Sequence, residues 1–202
     1  MDEAGGELGI VPARVAAEGD LDRVTATLWA AFGDDPLWSW AFPGGDKLDV
    51  WWRFLVQSAL RYSWVWVLGD YEAASVWIPP AGSELSDADE TRVESLLHGL
   101  LGTRAQQVMD LLERFEESHP RDAPHYYLSL LGTYPASRGH GVGMRLLADN
   151  LARIDDEAMP AYLESSNPAN DERYERVGFE RIGSFSTPDR SRTVARMWRE
   201  PR

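Results

Sequence analysis

Apolar positions in this 202-residue chain change their spacing several times, and each change marks an element. From Glu18 to Phe32, Leu21, Val24, Leu28 and Ala31 recur at three- and four-residue steps, which predicts a helix with Asp20 able to cap it. A second helix is expected from about Asp46 to Ser63, beyond an aromatic stretch, Leu37–Gly45, read as a loop carrying Trp38, Trp40 and Phe42. The run WVWVLGDYEAASVWIPP then loses helical spacing. Its two β-rich halves flank Gly69–Asp70 and end at Pro79–Pro80, as a hairpin would. Residues 81–120 return to helical spacing, as two helices broken near Gly102.

The last third alternates strictly. His125–Pro135 is an apolar strand, and Leu146, Leu147, Leu151 and Ile154 form one face of a helix. Met159–Ser166 is a second buried strand. Asn167–Gly178 is a short helix closed by a glycine, and the segments FERIGSF and TVARMWR are two final strands. Gly9–Ala16 adds a short strand near the start, after an acidic tail over residues 1–8. This mixture, without repeats or low-complexity linkers, predicts one domain over residues 1–202 with an α/β or α+β fold around a mixed sheet.

Composition narrows the chemistry. A formal net charge of −13 disfavours nucleic acid as a partner. The chain has no cysteine, which removes disulfides, thiolate metal sites and a cysteine nucleophile. The first residues lack the basic and apolar regions of a secretory signal, and no apolar run approaches a membrane span. A soluble cytoplasmic protein with no metal and no membrane partner is expected, as a monomer or homodimer.

Between the strand ending at Pro135 and the following helix stands SRGHGVGMRLL, with three glycines in five positions. Such a loop at a helix start can hold an anion, because the first backbone N–H groups lack partners and the dipole is positive there. It can equally be a tight turn. Gly143 is followed by Met144 and Arg145, so a Walker-type phosphate loop fails, and the G-x-G-x-G spacing is a poor dinucleotide fingerprint.

The run Arg138–Gly143 matches R/Q-x-x-G-x-G/A, and on that motif the chain resembles the GNAT N-acetyltransferase superfamily. LGTYPASRG resembles the strand-ending V-x-P-x-x-R-G of that family. NPANDERYERVGF resembles N-x-x-A-x-x-L-Y-E-K-x-G-F, departing from it at Asn170 and Arg173. The resemblance is clearest over residues 125–183. The hairpin and PAYLESSNPANDERYERVGF also resemble the branch containing puromycin N-acetyltransferase.

The resemblance implies a GNAT fold: a mixed, mostly antiparallel sheet of about seven strands flanked by helices and splayed at the cofactor site. It implies acetyl-CoA as cosubstrate, its pyrophosphate held by Arg138, Gly139, His140, Gly141, Val142, Gly143 and Met144. Leu131, Gly132 and Thr133 would run beside the pantetheine arm, and Asn167, also a natural N-cap before Pro168, would contact it. Tyr174 is the implied general acid. Glu164, His125 or ordered water would remove the amine proton. Asp34, Asp35, Trp38 and Trp40 are candidates for the acceptor site, suited to a cationic amine, although tryptophans also simply cover cores. The expected activity is acetyl transfer to a small primary amine, an antibiotic or metabolite. A protein or peptide acetyltransferase and a non-catalytic acyl-CoA sensor are the competing readings.

Overall fold

The computed structural model describes residues 12–202. The expected acidic tail and the first part of the strand at Gly9–Ala16 lie outside the described residues. What remains of that strand is β1, Arg14–Val15. Helices α1 (Leu21–Phe32), α2 (Pro36–Ala41) and α3 (Leu48–Ala59) follow, then the hairpin β2 (Val65–Leu68) and β3 (Ala73–Ile78). Three helices come next: α4 (Asp87–Glu90), α5 (Val93–Leu101) and α6 (Ala105–Ser118). The chain closes with β4 (Tyr126–Thr133), α7 (Val142–Asp156), β5 (Ala161–Ser165), α8 (Asp171–Arg176), β6 (Glu180–Ser186) and β7 (Thr193–Arg199).

The seven strands form one sheet in the order β1-β2-β3-β4-β5-β7-β6, in which only β4 and β5 pair in parallel. Period-two alternation divides the central strands between two cores. Val65, Val67, Ala74 and Val76 face α1, α2, α3, α5 and α6. Trp66, Leu68, Ala73 and Trp77 face α7, meeting Leu146, Leu147, Leu151 and Ile154. Both faces of β2 and β3 are therefore apolar, which explains their unbroken apolar sequence.

One residue breaks the alternation. The β3–β4 register slips so that Val76 pairs with Leu130 and Trp77 with Leu128, leaving Ser129 as a bulge. Before the bulge, Tyr126 and Leu128 face α7. After it, Leu130 faces the opposite core and Leu131 packs on the α7 side.

The aromatic stretch around Trp38 is helical, contrary to the expected loop. Asp35 is the N-cap of α2, its Oδ1 accepting from the backbone N–H groups of Leu37 (2.9 Å) and Trp38 (3.0 Å), with Pro36 at the first helical position. Trp38 and Phe42 then pack into the core with Trp52 and Trp51. The break at Gly102 is present, as a positive-φ residue between α5 and a short 3-10 turn. No helix among the described residues is long and apolar enough to cross a membrane.

Candidate active site

Three glycines at the start of α7 perform two different tasks. Gly139 and Gly141 have φ of 82° and 73°, and neither would crowd a neighbour with a Cβ. They are needed for the left-handed backbone that turns β4 into α7. Gly143 is the opposite case. A Cβ there would lie 2.2 Å from Thr133 Oγ1, so its lack of side chain lets α7 sit flush on β4.

Gly141 is the N-cap and no side chain caps α7. The first turn of a 15-residue helix thus presents its N–H groups and positive dipole end outward. Arg138 steadies the loop. Its guanidinium donates to the Ala31 carbonyl at the end of α1 (2.7 Å) and lies 3.9 Å from the Asp34 carboxylate.

Beside this turn the sheet opens. The β4–β5 pairing stops at Leu128–Leu163, while β4 continues to Thr133 paired only with β3. The expected splay is therefore present, and Leu131, Gly132 and Thr133 have no β5 partner. A cleft of about 560 Å³ fills the gap. Of the residues expected to hold the cofactor, Leu131, Gly132, Thr133, Arg138, Gly139, Gly141, Val142, Gly143, Met144 and Asn167 line it. His140 does not, and is exposed. Asn167 also caps the 3-10 turn before α8, its Oδ1 accepting from Ala169 N–H (3.1 Å).

A larger cavity, about 980 Å³, lies on the other side of the splay between β4, β5 and the helices α3 and α6. Phe32, Asp35, Leu131, Asn170 and Tyr174 line both the cleft and the cavity. Tyr174 is thus at the junction, its ring edge-on to Phe179. Burial and the nearby Asp35 carboxylate push its phenol up to about 12, so it stays protonated at any ordinary pH.

Glu164 projects from β5 into the cavity. Its side chain is 2% exposed, and neither carboxylate oxygen has a hydrogen-bond partner among the described residues. Burial pushes it up to about 8, against the opposing pull of the Tyr162 and Tyr127 hydroxyls. A second carboxyl, Glu84, accepts from the Ser129 hydroxyl at the bulge and is also pushed up by burial. His125, the other side chain offered as a base, is buried in the cavity wall. Its Nδ1 is 2.8 Å from the Ala123 carbonyl, and its Nε2 is 3.0 Å from His119 Nε2. Sequence reading missed His119, Glu84 and Ser166, because only the fold brings them to this place. Ser166 donates to Asp35 Oδ2 (2.7 Å) and so ties β5 to the cap of α2.

The four acceptor candidates separate. Asp35 and Trp38 line the cavity. Asp34 lines the other cleft, with its side chain 96% exposed beside Arg138. Trp40 lines neither, and its indole donates to Asp189 Oδ2 (2.7 Å). No group of three His, Asp or Glu among the described residues could hold a metal ion.

No protein-family profile matches the chain. An uncharacterised N-acetyltransferase of Schizosaccharomyces pombe is 26% identical over 181 residues, covering 82% of this chain and 72% of that one. A Corynebacterium glutamicum structure described as histone acetyltransferase HPA2 and related acetyltransferase superposes with a TM-score of 0.66. It is 21% identical and covers 96% of this chain and 97% of its own. An agmatine N-acetyltransferase superposes with a TM-score of 0.67 at 18% identity, covering 94% of this chain and 99% of its own. With its splayed seven-stranded sheet and glycine turn set against such structures, the chain has the GNAT N-acetyltransferase fold.

Proposed function

We propose that the protein transfers an acetyl group from acetyl-CoA to a primary amine of a small molecule. The observation that carries this reading is the shared wall. A cleft with an uncapped helix N-terminus at one end shares Tyr174 with a cavity that holds a carboxyl group lacking a hydrogen-bond partner. The residues present suit the donor. The N–H groups at the start of α7 would hold its pyrophosphate, and the β5-facing edge of Leu131–Thr133 would pair with the pantetheine amides. When bound, acetyl-CoA supplies an activated thioester.

The chain's own groups supply the proton chemistry. An amine enters the cavity as an ammonium and must lose a proton before it can attack. Glu164 takes that proton. With a value of about 8 it is roughly one-tenth ionised at pH 7, and an incoming cation favours the ionised form. As the C–N bond forms and the C–S bond breaks, the Tyr174 phenol gives its proton to the departing sulfur, and the second proton shed by the new amide nitrogen returns to the Tyr174 oxygen. With no cysteine in the chain, transfer is direct.

A cavity of about 980 Å³ walled by Trp38, Phe115 and carboxyl groups suits a small cationic amine better than a protein surface. The resemblance of residues 160–179 to the puromycin-acetylating branch makes an antibiotic amine a natural member of the test set. The test is thiol release from acetyl-CoA across puromycin, aminoglycosides, polyamines, arylalkylamines and short peptides, with CoA binding measured in parallel. Turnover with small amines alone supports the reading. Turnover confined to peptides transfers the activity to a protein acceptor, and CoA binding without any turnover marks a sensor.

A further inference from the structure

If Glu164 collects a proton in every cycle, that proton must leave a site whose base is 2% exposed. The imidazole beside it belongs to a residue with no role so far. His119 is the C-cap of α6, placed where the helix ends and the backbone turns extended. Its Nδ1 lies 3.9 Å from Glu164 Oε1. Its ring stands edge-on to Tyr127 (centroids 4.9 Å apart) and Tyr162 (5.0 Å), which fixes its orientation. Its side chain is 28% exposed, so it spans the distance between the buried carboxyl and solvent.

The hydrogen-bond chain assigns the tautomers. Ala123 offers a carbonyl, which can only accept, so His125 Nδ1 carries a proton and donates it (2.8 Å). In a neutral ring His125 Nε2 is then a lone pair. The partner at 3.0 Å, His119 Nε2, must be the donor. His119 Nδ1 is left as the acceptor, and that is the atom facing Glu164. We propose that His119 takes the proton from Glu164 and releases it to solvent, with His125 acting as a positioning residue that holds His119 in the required tautomer. The proposal rests on the acyl-transfer reading, because it needs Glu164 as the base.

The proton count closes. The ammonium proton passes to Glu164, the Glu164 proton to His119 Nδ1, and that Nδ1 proton leaves for water, restoring both groups and the tautomer, while the second proton shed by the attacking nitrogen replaces the one Tyr174 gives to sulfur. Moving to hydrogen-bond distance requires about 1 Å of side-chain motion. Burial and the neighbouring His125 pull His119 down to about 4, so it rests neutral and ready to accept. Transfer from the carboxyl, held up by burial, to the ring, held down by it, is uphill, so the imidazolium is a transient carrier. Besides Glu164, the titratable and charged groups around the ring are His125, Tyr127, Tyr162, Glu116 one turn earlier on α6, and Arg121 just beyond it. Glu116 and Arg121 pair with each other.

Two measurements test the relay. The first is kcat of His119→Asn and His125→Asn with a turned-over amine, between pH 6 and 9, with and without added imidazole. The expected result for His119→Asn is a loss of about tenfold at pH 7, within the span of general acid–base effects. KM for acetyl-CoA should stay unchanged and free imidazole should restore the rate. His125→Asn should show a smaller loss. A kcat within twofold of the parent, or a loss that imidazole does not restore, overturns the relay. The second is nitrogen NMR of the histidine rings, which needs no turnover. His119 protonated on Nε2 alone is the expected state at pH 7, and protonation on Nδ1 overturns the assignment. If no amine is acetylated by the parent protein, the functional reading fails by itself, while the tautomer result still stands or falls separately.

Discussion

Replacing Glu164 by glutamine should leave the protein less active and more stable, with the added stability appearing only as the pH rises. The carboxyl moves from an ordinary glutamate value of 4.5 to about 8 on folding because burial disfavours its charged form. Below about pH 4.5 both native and unfolded chains carry the proton, and the group has no pH-dependent effect. Between 4.5 and 8 the native state holds a proton that the unfolded state has lost, so stability falls as pH rises through this window, and the loss is complete above 8. At 1.36 kcal/mol per pH unit the full window is worth about 5 kcal/mol, an upper figure for a group lining a cavity that water can enter. Even half of that corresponds to about 5–10 °C in Tm for a domain of this size. Glutamine is nearly isosteric and cannot ionise, so it escapes the whole effect. Glu84 titrates in both proteins and largely cancels from the difference. The assay is thermal unfolding of the two proteins side by side from pH 5 to pH 9. Nearly equal Tm at pH 5 and a gap that widens towards pH 8 are expected. A gap that is the same at both ends would refute the argument that Glu164 is held protonated by burial. Turnover at pH 8 should drop in the same variant by about 10²–10³, the share expected of a general base.

The remaining predictions concern the junction and the helix seat. Tyr174→Phe should lower kcat by about 10²–10⁴ while acetyl-CoA binding, followed by calorimetry, stays within twofold. Because the Tyr174 phenol sits near 12, the parent kcat should show no fall on the alkaline side up to pH 9. Gly143→Ala should destabilise the fold by about 1–3 kcal/mol in urea titration, since its Cβ would strike Thr133 Oγ1. Adding Thr133→Ala should recover most of that loss, because Thr133 Cβ itself is at an ordinary 3.6 Å.

Local signals in the sequence carried most of the fold, because most of its elements are locally determined. The hairpin about Gly69, the break at Gly102 and the amphipathic α7 all depend on residues within one or two turns of each other. Helix α2 was missed although its signal was local too. Asp35–Pro36 is an N-cap followed by proline at the first helical position, and the density of tryptophan drew attention from it. The cleft beside the glycine turn was legible for the same reason as the hairpin, since ten of its expected lining residues lie on one strand–turn–helix and the cap that follows β5. The larger cavity was not. Glu84, His119, His125 and Glu164 come from four separate elements, and nothing about His119 at the end of a polar helix distinguishes it until α6 is laid across β4 and β5. Asp34 and Asp35 show the limit of reading by neighbourhood. Adjacent in the chain, one caps a helix in the core and the other points to solvent.

The bulge at Ser129 divides β4 into two half-strands of opposite parity. In the first half the even-numbered Tyr126 and Leu128 face α7, in the second the odd-numbered Leu131 does while Leu130 faces the opposite core, and one inserted residue reconciles them. Exchanging Ser129 for another residue leaves that arrangement standing. Losing it does not. A one-residue shortening would turn either half over, and Leu131 would then be driven towards α1. There the chain has a glycine, Gly132, because a Cβ would already meet Ala31 Cβ at 2.8 Å. Changes of length in this strand are therefore barred where changes of identity are open. The Ser129–Glu84 contact in the wall of the larger cavity can therefore be altered while the second half of the strand stays in frame.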